Sequence, residues 1–348
     1  MFSLDKILRN NIKKVEPYSS ARDEYKGSEG IFLDANENSF GSVTEPPFHR
    51  YPDPLQRDLK EVIASVKRTD VNKIFLGNGS DEPIDLLIRM VCEPKSDNII
   101  IMPPTYGMYQ VSAAINDVGV KKVNLSEDFQ IMTRAVLDAV DGQTKIIFVC
   151  SPNNPTGNSM RIKDIEELLN KFAGIVVVDE AYIDFSNDRG FLSRLSEFPN
   201  LVILQTFSKA WGMAALRLGM AFASEEIIKV LNKIKPPYNI NGATQNIAIE
   251  GLRKVLSKEM RVEQILTSRE HLKESLQNLP VVIKVYPSDA NFLLVKTTGG
   301  KAVYEFLITK KIITRDRSSV SLCEGCLRIT VGTPEENDAL VNALKEYK

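Results

Sequence analysis

The chain has 348 residues, 43% hydrophobic and 26% charged, with a formal net charge of -1, the balance of a globular protein with room for two domains. A charge so near zero gives no electrostatic basis for nucleic acid or an anionic membrane as principal partner, and no apolar run reaches the roughly 20 residues of a bilayer span. The chain has only two histidines, His49 and His271, and four cysteines, which argues against a histidine triad, a multi-histidine metal site or a disulfide framework.

The opening stretch, MFSLDKILRNNIKKVEP, is too polar for a signal peptide, so a cytoplasmic protein is expected. In DPLQRDLKEVIASVKR, Leu55, Leu59, Val62, Ile63 and Val66 share one face and predict an amphipathic helix. LGNGSDEPIDLLIRM (76–90) reads as a glycine-bearing turn entering a helix, with Ser80 or Asp81 as its cap and Pro83 in its first turn. Short apolar runs follow at 98–102, 145–150, 174–179 and 200–206, with helical patterns at 131–140 and 161–172 between them. Runs without polar alternation suit strands buried on both faces, and their alternation with helices predicts an α/β fold with a parallel sheet. KPPYN (235–239) is the expected hinge to a second module. That module holds one long helix at 242–279, strands at 281–286 and 291–296, a helix at 300–310, a strand at 326–331 and a closing helix at 335–347. Within it Cys323 and Cys326 form a C-x-x-C. Without a second cysteine pair they read as reduced, unliganded thiols.

Ligands in a parallel α/β sheet gather where strands end. Three of the apolar runs end in polar clusters: SPNNPTG (151–157), DEAY (179–182) and FSK (207–209). The rule brings Asn154, Asp179, Tyr182 and Lys209 to one crevice. The hydroxyls of Thr206 and Ser208, the Arg217 guanidinium and the helix start at Gly79, Ser80 and Asp81 together describe a cup for a phosphate. Neither a Walker A loop nor a G-x-G-x-x-G turn is present. An aromatic cofactor beside that phosphate suits the other residues. Asp179 can hold a proton on a pyridine nitrogen, Tyr182 and Asn154 can donate to a ring oxygen, and Tyr106 can stack on the ring. Lys209 is then the amine that forms a Schiff base with the cofactor aldehyde, its pKa lowered by nearby positive charge and partial burial. Taken one at a time, these segments are a capped helix start, a strand end and a turn cluster. Their ordered set is what points to chemistry.

SPNNPTG, DEAY and TFSKAWGMAALRLG resemble the fold-type I pyridoxal-phosphate aminotransferases. EPYSSARDEY (16–25), LDANENSFG (33–41), RYPDP (50–54), GNGSDEPIDLLIR (77–89), PPTYGMY (103–109), RDRSS (315–319) and CLRITVG (326–332) narrow the resemblance to the histidinol-phosphate aminotransferase family. The resemblance implies a large α/β domain over 46–240 with a mostly parallel seven-stranded sheet covered by helices. It also implies a smaller α+β domain made of the arm 1–45 with 241–348. The implied cofactor is pyridoxal 5'-phosphate, with Lys209 as Schiff-base lysine, Asp179 at the pyridine nitrogen, Tyr182 and Asn154 at the phenolic oxygen and Tyr106 on the ring. Gly79, Ser80, Asp81, Thr206, Ser208 and Arg217 would surround its phosphate, joined by Tyr51 from the neighbouring subunit of a homodimer. Arg328, with Asn36 and Asn291 nearby, would grip the substrate's carboxylate or phosphate, and Tyr18 and Arg315 would complete the substrate side. The implied substrates are histidinol phosphate and glutamate/2-oxoglutarate. An aromatic aminotransferase or a related decarboxylase or lyase would share the same cofactor residues, and a non-catalytic phosphometabolite-binding protein would share the phosphate cup.

Overall fold

The structure is a computed structural model describing residues 2–18 and 29–347. Seven strands form the first sheet: β1 (Ile74–Asn78), β2 (Asn98–Ile101), β3 (Gly119–Lys122), β4 (Thr144–Cys150), β5 (Ile175–Asp179), β6 (Leu201–Thr206) and β7 (Leu218–Phe222). Their order is β1-β7-β6-β5-β4-β2-β3. Strand β7 runs antiparallel to both neighbours, and the other pairs are parallel. Four more strands, β8 (Val282–Val285), β9 (Phe292–Thr297), β10 (Arg315–Asp316) and β11 (Cys326–Thr330), make an antiparallel sheet in the order β10-β11-β9-β8.

The central strands are buried on both faces because they lack polar alternation. Successive residues of β5 point to opposite sides, so Val176 and Val178 join one apolar cluster while Ile175 and Val177 join the other. Each fully buried valine or isoleucine contributes about 1.5–3 kcal/mol, which offsets the cost of burying the carboxylate that ends the strand, Asp179. Helices Asp81–Val91 and Glu225–Ile234 cover one face, and Arg57–Lys67 and Ile162–Lys171 cover the other. A third cluster holds the antiparallel sheet to helices Val255–Gln277, Lys301–Thr309 and Pro334–Glu346. The last of these starts with a full capping box, Thr333 with Glu336, and a proline in its first turn.

The apolar runs fall on strands within a residue or two of their expected bounds. The expected helix at 242–279 is instead two helices, Gly242–Leu252 and Val255–Gln277, interrupted at Arg253–Lys254. Gly251 precedes the break, and a Cβ there would lie 2.3 Å from Met213. Met213 lies in the loop between β6 and β7, and the glycine that leaves room for its side chain also weakens the helix. The expected side-chain cap at Ser80 or Asp81 is not made, because Ser80 has helical backbone angles and neither side chain bonds the helix start. Asp81 accepts instead from the Tyr106 hydroxyl at 3.0 Å.

Candidate active site

Strands β4, β5 and β6 are parallel neighbours and deliver their C-terminal residues to one edge of the sheet. A cavity of about 750 Å³ opens there, lined among others by Asn154, Asp179, Tyr182, Thr206, Ser208 and Lys209. Gly79, Ser80, Asp81 and Arg217 line it from the side of β1 and β7, Tyr106 from the loop after β2, and Arg315, Arg317 and Arg328 from the antiparallel sheet. Residues as distant in sequence as Ser80 and Arg328 therefore face one cavity.

Asp179 is 2% exposed. Its Oδ2 accepts from the Tyr109 hydroxyl at 2.6 Å and its Oδ1 from the Ala181 backbone N–H at 3.1 Å. Both donors are neutral, so among the described residues no cation lies within ion-pair distance of the carboxylate. Burial pushes its pKa up to about 6, and the two hydrogen bonds only partly oppose that shift. Tyr109 is itself fully buried and stacked on Phe148 at 4.6 Å. It fixes the carboxylate through a bond that the sequence reading did not assign, although the residue stands in the motif PPTYGMY.

Lys209 follows β6 in a short turn and is exposed to the open cavity. Its Nζ lies 5.6 Å from the centre of the Tyr182 ring. Burial among the cavity walls lowers its pKa, and the positive charges of Arg328 and Arg217 lower it further. Asn154 bridges the two sides of the cavity: its Nδ2 donates to the Tyr182 hydroxyl at 3.5 Å, and its Oδ1 accepts from Arg328 Nη1 at 2.6 Å. Arg328 also lies over the Phe292 ring at 5.3 Å, with its Nε buried and unpartnered.

The opposite end is a cradle of donors. Gly79, at φ +67, donates its N–H to the Arg217 carbonyl at 2.7 Å, and a Cβ on Gly79 would stand 2.6 Å from the Arg217 guanidinium. On the other side a Cβ on Gly219 would collide with the Gly79 and Ser80 backbone. Glycine is thus required at both positions for the turn to reach the cavity. The uncapped start of helix Asp81–Val91 leaves backbone N–H groups facing that space, beside Thr206, Ser208 and Arg217.

A phosphorylated pyridine aldehyde fits this set of groups. The donor cradle suits its phosphate, the buried carboxylate without a cation partner suits a protonated ring nitrogen, and the Lys209 amine in the same cavity suits the aldehyde. No cluster of three metal-ligating side chains exists among the described residues.

Four of the expected residues do not line this cavity. Tyr51 is 51% exposed and stacks on Tyr238 at 4.6 Å, held by Glu37, whose carboxylate accepts from the Tyr51 backbone N–H and from Arg50. Asn36 lies in the exposed arm before it, and Asn291 precedes β9 with its carbonyl bonded to Val331. Tyr18 is 72% exposed and lines a different, larger cavity of about 980 Å³ with Arg9, Ile12 and Lys233, which holds none of the strand-end residues. Residues 19–25 of the motif EPYSSARDEY lie outside the described residues. Sequence reasoning missed Arg317 as well as Tyr109.

The family model for Aminotransferase class I and II matches residues 29–344. The chain is 60% identical to the histidinol-phosphate aminotransferase of Cytophaga hutchinsonii over 99% of each chain. Among solved structures, the histidinol-phosphate aminotransferase of Clostridium acetobutylicum superposes with a TM-score of 0.79 at 25% identity, covering 86% of this chain and 90% of that one. The enzyme of Sinorhizobium meliloti, solved in complex with pyridoxal-5'-phosphate, gives a TM-score of 0.79 at 21% identity over 97% and 96% of the two chains, a likeness of fold. The chain belongs to the class I and II aminotransferases and, within them, to the histidinol-phosphate aminotransferase family.

Proposed function

We propose that this chain is a pyridoxal-phosphate-dependent aminotransferase of histidine biosynthesis. It interconverts L-histidinol phosphate and 2-oxoglutarate with imidazole acetol phosphate and glutamate. The observation that carries the reading is the pairing of Lys209 and Asp179, an amine and a buried carboxylate without a cation partner from adjacent strands, in one cavity with four arginines.

Pyridoxal phosphate, when bound, supplies an aldehyde for the amino group and a ring that takes up an electron pair. The protein does the rest. Gly79, Ser80, Thr206, Ser208 and Arg217 hold the phosphate end, with Asp81 orienting Tyr106 against the ring. Asp179, positioned by Tyr109, stays anionic against the ring nitrogen, and Tyr182 with Asn154 holds the phenolic oxygen. Lys209 Nζ takes the proton that leaves the donor carbon and returns it at the acceptor, a task suited to an amine whose pKa lies below the usual lysine value. Arg328 grips either the phosphate of one substrate or the carboxylate of the other. Arg315 adds to the substrate contacts from the rim, and Tyr18, Asn36 and Asn291, which stand outside this chain's cavity, are assigned to them on the family resemblance alone.

We further take 46–240 as the cofactor-binding domain, and 1–45 with 241–348 as the second. The segment around residues 31–43 exposes Ile31 at 91%, Leu33 at 80% and Phe40 at 103%. Apolar exposure on that scale suits cover by a second copy, so we read the enzyme as a homodimer in which Tyr51 serves the neighbouring cavity. No helix among the described residues is long and apolar enough to cross a membrane, in keeping with a cytoplasmic enzyme.

The test is an assay of the purified enzyme with histidinol phosphate and 2-oxoglutarate. Glutamate is the expected product. Absence of glutamate, together with faster turnover of phenylalanine or tyrosine, would assign a different donor.

A further inference from the structure

We propose that Arg317 is a specificity residue, a guanidinium that recognises the doubly charged phosphate of one substrate, while Arg328 alone serves the singly charged carboxylate beside the reacting carbon of the other. The inference rests on the transaminase reading above and adds to it the division of labour among the cavity's cations.

The pairing of β10 with β11 carries the argument. Arg315 and Arg328 are directly opposite partners in that ladder, so their side chains share one face of the sheet. Arg317 is two residues beyond Arg315, and its backbone N–H continues the ladder to the Cys326 carbonyl at 2.9 Å. The period of two returns Arg317 to the same face. All three arginines line the cavity. Like charges directly opposite one another are destabilising, and among the described residues none of the three is in an ion pair with a carboxylate. Asp316, the nearest acid in sequence, accepts instead from the Ser318 backbone N–H at 2.8 Å. The cluster is therefore an anion site.

Arg317 is distinct from its neighbours. Arg315 is exposed at the rim, and Arg328 already donates to Asn154. Arg317 is half-buried, its Nε is buried with no partner as that of Arg328 is, its guanidinium makes no hydrogen bond to another described residue, and its backbone is fixed on both sides by the Cys326 bond and by the turn in which Val320 N–H donates to the Arg317 carbonyl. A buried N–H of a cation without an acceptor is costly, and the cost is removed when an anion enters.

The two substrates differ in what they bring. A carboxylate is planar with two oxygens, and one arginine satisfies it through a bidentate fork. A phosphate monoester near pH 7 carries close to two charges and three terminal oxygens, more than one guanidinium can serve. Arg328 suffices for the carboxylate that 2-oxoglutarate and glutamate carry beside the reacting carbon, and Arg317 supplies the second fork for the phosphate that histidinol phosphate brings to the same side.

Kinetics of the holoenzyme variants Arg317→Gln and Arg317→Lys test this, because two-step transamination yields a separate kcat/KM for each substrate in one experiment. For Arg317→Gln, kcat/KM for histidinol phosphate should fall by about 10- to 100-fold, mainly through KM, as expected for a lost charged hydrogen-bond pair. The value for 2-oxoglutarate should stay within about threefold of wild type, and Arg317→Lys should recover part of the loss, since a point charge replaces the fork. Equal losses for both substrates would mark Arg317 as structural and overturn the proposal, as would no loss for either. If Arg317→Gln does not fold, Arg317→Lys decides: the ratio of the two kcat/KM values shifts against histidinol phosphate, or the proposal fails. Wild-type enzyme that does not turn over histidinol phosphate would sink the substrate reading and this inference together. Wild-type turnover with an unchanged ratio in the variants would sink only the inference.

Discussion

Replacing Lys209 by alanine should lower transamination by about 10⁴-fold or more, the combined scale of a lost proton carrier and a lost nucleophile, while the cofactor remains bound without a covalent link. The reason is positional. Lys209 is the amine that the turn after β6 places in the cavity beside the Tyr182 ring, and Lys258, which faces Trp211, and Lys67, which faces Asp184, are held elsewhere in ion pairs. Arg328 and Arg217 add to burial in lowering its pKa, so a larger fraction of the amine is free to accept a proton near neutrality than at a surface lysine. Lys209→Arg separates charge from proton transfer. The guanidinium keeps the positive charge but cannot be deprotonated, so this variant should be as inactive as the alanine. Substantial activity in either variant, measured as glutamate formed from histidinol phosphate and 2-oxoglutarate, would show that another group moves the proton.

Asp179→Asn should have the second largest effect, and with opposite signs on activity and stability. A charge facing a buried cation is worth about 3–5 kcal/mol when its partner is removed, so turnover should fall by about 10²- to 10⁴-fold. Stability of the cofactor-free protein should move the other way. The folded pKa of Asp179 is raised from 3.8 to about 6. A carboxyl with a folded pKa above its unfolded value destabilises the fold as pH rises through that window, because the folded state must give up a proton that it binds more tightly than the unfolded chain. At pH 4 or below the variant and the parent should be equally stable, and by pH 8 the cofactor-free variant should be more stable by about 2–3 kcal/mol. Both contacts survive the change when the amide oxygen accepts from the Ala181 backbone N–H and Nδ2 donates to the Tyr109 hydroxyl oxygen. Denaturant melts at pH 4 and pH 8 measure the difference. A variant that is less stable at both would mean the carboxylate is already compensated in the empty cavity.

The sheet was readable where its strands are long and apolar on both faces. KIIFVC, GIVVVD and NLVILQT fall on β4, β5 and β6 because burial on both sides removes alternation from the pattern. β1, β3, β7 and β10 gave weaker signals for physical reasons. β3 is GVKK, a short edge strand whose lysines belong to solvent, and β1 ends in Gly77-Asn78, residues that read locally as a turn. β7 is hidden inside the glycine-bearing segment after Arg217, and β10 has two residues.

The site divides along the same line. Asn154, Asp179, Tyr182 and Lys209 follow apolar runs, so strand-end logic alone brings them together. Arg317 and Tyr109 could not be found that way. Whether Arg317 faces the cavity depends on the register of β10 against β11, and Tyr109 matters through a bond to Asp179 across 70 positions of sequence. Tyr18, Asn36, Tyr51 and Asn291 were expected from resemblance. Within one chain they stand outside the cavity wall.

The central claim is that one lysine holds the reactive end of the cofactor. Borohydride reduction of the holoenzyme, followed by proteolysis and mass analysis, measures it directly. The account predicts that the cofactor becomes irreversibly fixed to the peptide carrying Lys209 and to no other. Cofactor fixed to a different lysine, or none fixed in a protein that nonetheless transaminates, would contradict it.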